Sequence, residues 1–388
     1  MLTRGGRRAA VPLLALALLA AAPAAHGAPA ASVVGVNPVP SVQTDGRVYA
    51  IAISGDVAYL GGSFTHVRPA GTSPGGPGEV ARSHAAAVNL DSGAILPWDP
   101  DADAPVRAIA VGTGAVFLGG TFLHVGTAAH TRLAAVDPTT GAVQTGWSAS
   151  TNSAVYALVE KGPHLYVGGQ FTKVDGASHH RVAALSAVDG TPKPAFAASA
   201  NGTVKALAFN VGGTRLLVGG AFQTADGVTH RSLVSLSPAT GKVFGTTPNL
   251  AYPALAVAAD ARAVYVGGGG TGGNVVAYNP ASGARLWHTG TDGNVQALAA
   301  AGGEVYVGGH FENSCGPGAG AEVCKTPRAR SKLLAVSDRT GALEPWNPRP
   351  NSVHGVFALA ASGGLLAAGG DFTKIDQDAQ QAFAIFPS

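Results

Sequence analysis

"VYALVEKGPHLYVGGQFTKVDG", Val155 to Gly176, decides the fold, because the chain writes variants of this phrase from one end to the other. Apolar and polar residues alternate within it, as in a strand with one buried face, and no helical period appears. An Ala-Leu or Ala-Ile pair recurs at Ala50, Ala108, Ala157, Ala206, Ala254, Ala297 and Ala358. A Gly-Gly pair follows each, beginning at Gly61, Gly119, Gly168, Gly219, Gly267, Gly308 and Gly369. Phe stands three residues after that point at Phe64, Phe122, Phe171, Phe222, Phe311 and Phe372, whereas the fifth copy has Gly270. A further apolar run, such as "RLAAVDPTTG", ends in a turn glycine (Gly93, Gly141, Gly190, Gly241, Gly283, Gly341), commonly followed by an aromatic: Trp98, Trp147, Phe196, Trp287 or Trp346.

Each copy thus holds four short strand-like segments in about 50 residues, the period of a propeller blade. The expected fold is all-β, a single seven-bladed β-propeller over residues 31–388, with repeats starting near 48, 106, 155, 204, 252, 295 and 356. Glycine inside a strand is costly unless a bulge or a close backbone approach needs it, which is expected at the crowded inner edge of a blade. The Phe and Trp rings are expected to wedge between blades. The seventh copy stops after its third strand, and residues 33–46, "VVGVNPVPSVQTDG", read like a fourth. The N-terminal segment is therefore expected to complete the last blade and close the ring.

Residues 1–30 read as a secretory leader: Arg4, Arg7 and Arg8 precede an apolar run from Ala9 to Ala22 and small-residue cleavage sites. That run is too short to span a bilayer, so membrane insertion is not expected. The precursor has 25 basic and 22 acidic side chains; the leader takes three Arg and no acid with it, leaving 22 against 22. Nothing in that balance pulls the mature chain toward nucleic acid. In an oxidising extracellular compartment, Cys315 and Cys324 of "CGPGAGAEVC" are expected to form a disulfide; a thiolate site with His310 lacks a fourth ligand.

The pattern V-Y-A-L-A, V-Y-V-G-G-x-F-T-x-V, R-L-A-A-V-D, T-G-A, W-x-P resembles the delta-60 β-propeller repeats of secreted bacterial proteins. The resemblance covers roughly residues 33–388 and implies an architecture more than a function. The fifth copy, "VYVGGGGTGGNVVAYNPASGARLWHTG", instead resembles a quinoprotein-type blade with a docking Trp287, but the adjacent-cysteine feature of quinone-dependent dehydrogenases is missing.

Strand direction puts the loop between strands two and three on the same face as the link between blades. Both large insertions, Arg68 to Ser83 and Glu312 to Ser331, occupy that loop, and around a closed ring they are expected to flank blade seven. The same loops gather basic and imidazole side chains. Arg132, Arg181 and Arg231, with His130, His180 and His230, are the candidate ligand-binding residues, since Arg forks bind carboxylate and phosphate. The competing reading is that a repeated Arg or His before strand three caps a blade turn. "WDPDADAP" spaces Asp99, Asp101 and Asp103 superficially like a calcium loop but lacks its turn Gly and distal acid. Asp175, Asp226 and Asp376 are expected to make turns. "GTSPG" around Ser73 matches a nucleophile pattern, yet sits in a Pro/Gly loop rather than a strand-to-helix elbow. No metalloprotease, phosphate-loop or dinucleotide motif is present.

These features point to a secreted binding or interaction module that needs no metal or cofactor and recognises an extracellular polymer or protein on its loop face. The alternatives are an extracellular carbohydrate- or ester-active hydrolase or lyase, a quinoprotein-like oxidoreductase, or a structural module of a larger assembly.

Overall fold

Two adjacent glycines per repeat set the geometry of this chain, whose computed structural model describes Met1 and residues 34–270, 272–318 and 327–388. The expected leader and Cys324 lie outside the described residues. Among those residues the chain is all-β, with no helix. The repeats open with the strands Val48–Ser54, Val106–Gly112, Val155–Lys161, Thr203–Phe209, Ala254–Ala259, Asn294–Ala301 and Val356–Ser362. Each pairs antiparallel with a second strand that carries the Gly-Gly pair at or next to its end, and that strand pairs with a third.

The first glycine of the pair is a contact surface. A Cβ on Gly119 would lie 2.6 Å from Val155 Cγ1, and one on Gly168 would lie 2.5 Å from Val204 Cγ1, both in the first strand of the next repeat. Any side chain there would push neighbouring sheets apart. The second glycine admits a bulge: a Cβ on Gly120 or Gly169 would strike the backbone oxygen of Pro105 or Ala154. Opposite it every first strand carries one extra residue, so that Val106 pairs with Gly120 but Ala108 pairs with Gly119. The same shift occurs in all seven repeats. In the fifth it lies between Ala254 and Ala256, so the equivalent of Ala50 there is Ala256, two residues beyond the pair expected from the sequence.

The expected aromatic wedges are present. Trp98, Trp147 and Phe196 are fully buried or nearly so, and the Trp98 and Trp147 indoles donate to Asp137 O (2.9 Å) and Ser186 O (3.1 Å) of the following repeat. Each ring removes a large apolar area from water while satisfying its one polar atom. The fourth strand is mostly reduced to single bridges such as Val88 to Ile95; among the described residues only the fifth repeat builds a full one, Arg285–Thr291. The N-terminal segment lies along the seventh repeat: Val39 bridges Ile385, Gly35 N donates to Pro387 O, and Trp346 Nε1 donates to Gly35 O.

Between strands two and three most repeats raise a small hairpin held by one carboxylate or amide from the preceding link. Asp45 Oδ1 accepts from Thr65 N and His66 N at 2.7 and 2.9 Å. Asn152, Asn201, Asp292 and Asn351 accept the equivalent pairs of amide protons. These clasps tie each hairpin to the link that enters its own repeat.

Strand pairing corrects in part the expected placement of the insertions. The first does reach the seventh repeat, through the buried Arg68, whose guanidinium donates to Gln381 and Gln43. In the other, Ser331 at its end donates to Pro350 O beside the seventh repeat, but its described strand lies on the opposite side. Asn313–Pro317 pairs with Arg285–Thr291 and extends the fifth repeat into a six-stranded sheet. The full fourth strand of that repeat offers a row of unpaired backbone groups, and the insertion satisfies them.

Candidate ligand-binding site

The bulges place one side chain per repeat at the hairpin end of each first strand: Tyr49, Arg107, Tyr156, Lys205, Leu255, Gln296 and Phe357. All seven are half-buried. Five of them touch in succession. Phe357 and Tyr49 have ring centroids 5.3 Å apart. The Arg107 guanidinium lies 4.8 Å from the Tyr49 centroid and 5.9 Å from that of Tyr156, and Lys205 Nζ lies 3.9 Å from the Tyr156 centroid. The belt therefore passes from the seventh repeat through the first, second and third to the fourth.

Its electrostatics are unbalanced. Neither Arg107 nor Lys205 has a carboxylate partner among the described residues. Burial, and secondarily the charge of Arg107, hold the Lys205 ammonium below the ordinary lysine range. An anion placed beside these two cations would offset the cost of their burial and their mutual repulsion. Gln296 Oε1 is buried elsewhere in the belt with no hydrogen-bond partner among the described residues.

The residues singled out from the sequence occupy the hairpin bases instead. Arg132 and Arg181 share a position with His84, Ser232, Lys332 and Ala382, all in the left-handed backbone region (φ 68° and 72° for the two Arg). At each, the amide donates to the Phe carbonyl of the same repeat, as Arg132 N does to Phe122 O at 2.9 Å. Ser232 and Ala382 serve there as well, so the position is used for its backbone. The Arg132 guanidinium donates to Thr151 O (2.9 Å) and that of Arg181 to Gln170 O, so each is engaged with its own scaffold. Arg231 is one residue out of register with them; it is exposed, and its guanidinium is unpaired among the described residues. His130 and His230 share one hairpin position with His179, and His180 shares the next with Arg231. Burial lowers the pKa of His130, keeping the ring neutral, and His180 Nε2 meets Ser178 Oγ at 3.1 Å. Cys315 is buried at the edge of the fifth repeat's sheet.

Other candidate chemistry is absorbed locally. Asp103 lies 2.8 Å from His124 Nδ1, and Asp99 lies 3.5 Å from Arg82. No group of three His, Cys, Asp or Glu among the described residues is arranged to hold a metal. Asp175, Asp226 and Asp376 have positive φ, as expected of turns. Ser352, His354 and Asp371 meet in a cleft beside Arg47, but the Asp bridges the other two: Ser352 Oγ donates to Asp371 Oδ1, while His354 Nδ1 lies 2.5 Å from Oδ2. A nucleophile relay needs the imidazole on the hydroxyl.

No protein-family model matches the chain, and no curated protein matches its sequence. Solved structures do. The chain is similar to the WD40 β-propeller domain of Doa1 (TM-score 0.61, 10% identity, 90% of this chain and 96% of that one). It is also similar to the computationally designed Ika8 protein (TM-score 0.55, 16% identity, 91% of this chain and 100% of that one). The fold is of the β-propeller type. At these identities the likeness carries fold alone.

The belt is invisible to motif reading because its members share no residue type. Its signal is positional: the residue between Val and Ala at the start of each first strand, or between Ala254 and Ala256 in the fifth.

Proposed function

We propose that the chain is a secreted, seven-bladed β-propeller of the delta-60 type that binds an anionic extracellular polymer on its hairpin-bearing face, with Arg107 and Lys205 as the charge contacts. The observation that carries the reading is the pair of uncompensated cations around Tyr156. Arg supplies a planar fork and Lys a point charge, a combination suited to repeated carboxylates or phosphates. Binding of this kind needs no net charge on the whole protein.

Ring closure is supported by a contact repeated at the last seam. A Cβ on Gly369 of the seventh repeat would lie 2.6 Å from Val48 Cγ1 of the first, the relation that Gly119 has to Val155 and Gly168 to Val204. The first strand also packs against both Val106–Gly112 and Val356–Ser362. The bridge from Val39 to Ile385 fits a seventh blade completed by the N-terminal segment. A Cys315–Cys324 disulfide in the sixth-repeat insertion belongs to the same extracellular reading.

The test is an array of wall and capsular polymers in carboxylated, phosphorylated and neutral forms, probed with the mature protein at low and physiological salt. Binding to anionic forms alone, weakening with salt, is expected. Equal capture of neutral forms, or none of any form by the folded protein, would remove the reading.

A further inference from the structure

The seam between the fourth and fifth repeats breaks a rule that its neighbours keep. After the turn glycines Gly93, Gly141 and Gly190 comes a buried ring, Trp98, Trp147 or Phe196. After Gly241 the corresponding residues are Thr246 and Thr247, which leave the seam without a wedge. The fifth repeat also lacks the Phe hairpin that would cover it. Two openings result, sharing Tyr278 as a wall. The larger, a cleft of about 580 Å³, is lined by Tyr252, Asn274, Tyr278, Arg285 and His288.

This cleft is built rather than merely empty. Asn274 and Tyr278 stand at alternate positions of Gly273–Tyr278, and so project from one face of that strand, while His288 and Arg285 come from the strand paired to it. His288 Nε2 is fixed 2.8 Å from Asn274 Oδ1. Burial, followed by the charge of Arg285, lowers the His288 pKa, so the ring is neutral at pH 7. The exposed Arg285 guanidinium has no carboxylate partner among the described residues.

Two buried polar atoms at this seam are unsatisfied. Ser235 Oγ, in a side chain 1% exposed on the wall of the smaller opening, has no hydrogen-bond partner among the described residues. Tyr252 Oη has none either, although the phenols of Tyr252 and Tyr278 lie close enough to perturb each other. Buried polar atoms normally find partners, and the Tyr252 phenol in the wall of the cleft, which has only the adjacent Tyr278 phenol beside it, points to a ligand that supplies one.

The lining selects the ligand's chemistry. Two phenol rings offer flat apolar surface, Asn274 and His288 offer neutral hydrogen bonding, and Arg285 offers one fork at the rim. A phosphate would need several converging charges, and an apolar ligand would strand the polar groups. We propose that the cleft on the fifth repeat, built by its third and fourth strands and the link that enters it, binds a pyranose unit bearing a carboxylate, a uronic acid residue, with Arg285 on the carboxylate and Tyr252 on a ring hydroxyl. The site is separate from the belt of bulge residues and stands independently of it.

The test is equilibrium titration of the mature protein with a galacturonic acid tetrasaccharide and with the neutral galactose tetrasaccharide. Saturable binding of the acid is expected, with the neutral sugar about tenfold weaker, as loss of a charge-assisted hydrogen bond implies. Arg285→Ala should weaken acid binding by about tenfold, and Tyr252→Phe by about threefold or more. Arg231→Ala, which removes an exposed and unpaired guanidinium outside the cleft, should leave it unchanged. Arg285 is exposed, and Phe keeps the Tyr252 ring, so both variants should unfold thermally as the wild type does. Absence of saturable binding, equal binding of the two sugars, or acid binding unaffected by Arg285→Ala would each overturn the proposal. Equal loss of binding in Arg231→Ala would reduce the recognition to diffuse charge attraction and overturn it as well.

Discussion

Gly369→Ala tests whether the seventh repeat meets the first as the others meet their neighbours. Gly369 does not have positive φ, so alanine is free to adopt its backbone conformation. The added Cβ would lie 2.6 Å from Val48 Cγ1, 3.0 Å from Val48 Cβ and 3.2 Å from Ile51 Cδ1. Carbon atoms prefer about 3.5–4.0 Å, so the sheets must part by roughly 1 Å or Val48 must leave its rotamer. Val48 is fully buried, and its β-branched side chain has little freedom at χ1. Overpacking of this kind costs about 1–3 kcal/mol, offset by about 0.4–1 kcal/mol from the stiffer unfolded chain. The net expectation is a loss of about 1–2 kcal/mol, read as a lower urea midpoint with unchanged slope. Gly119→Ala is its twin, with a Cβ 2.6 Å from Val155 Cγ1 at an interior seam, and should cost the same. Pairing Gly369→Ala with Val48→Ala should recover part of the loss, a coupling of about 1 kcal/mol in a double-mutant cycle. A Gly369→Ala protein as stable as the wild type, beside a destabilised Gly119→Ala protein, would refute closure.

Ala382 occupies the left-handed region at φ 63°, where glycine is unstrained, so Ala382→Gly should raise the urea midpoint by the equivalent of about 0.5–1 kcal/mol; a lower midpoint would contradict the backbone reading of that position. Trp98→Ala removes a fully buried wedge and its bond to Asp137 O, and should cost about 3–5 kcal/mol in the same assay. Asp45 and Asp292 are partly buried, which pushes their pKa values up, but hydrogen bonds to their hairpins outweigh burial and leave them below the ordinary 3.8. Their stabilising contribution is therefore complete above that value and lost as pH falls through the lowered native pKa values. Asp292→Asn, which keeps an acceptor for the two amides, should flatten the acid limb of a stability profile, and an unchanged limb would count against the clasp.

The repeat, its strands and its wedges are legible in the sequence because they rest on residue types with steep local costs. A glycine pair inside a strand and a Trp after a turn are tolerated in few other settings. The fifth repeat is harder to register, by two residues, because small apolar side chains dominate Ala254–Ala259, and alternation alone does not locate a bulge there. The hairpin Arg and His residues stand out through their charge, yet Ser232 and Ala382 occupy the Arg132 position, and the backbone accounts for it. Among the described residues of the sixth-repeat insertion, Asn313–Pro317 pairs with the fifth repeat, because edge pairing depends on which repeat builds a full fourth strand. The belt and the wedge-free seam emerge only when equivalent positions are aligned in space. Tyr49, Arg107 and Lys205 look unrelated in sequence until the bulge makes them neighbours.

The central claim is that Arg107 and Lys205 hold the anion. The most direct measurement is the dissociation constant of an anionic polymer selected from the array, for the wild type, for Arg107→Gln with Lys205→Gln, and for Arg132→Ala with Arg181→Ala and Arg231→Ala. A loss of about a hundredfold is predicted for the belt variant, two charge-assisted contacts at about tenfold each, against a change of less than about threefold in the hairpin variant. Undiminished binding by a folded belt variant, with loss in the hairpin variant, would contradict the claim.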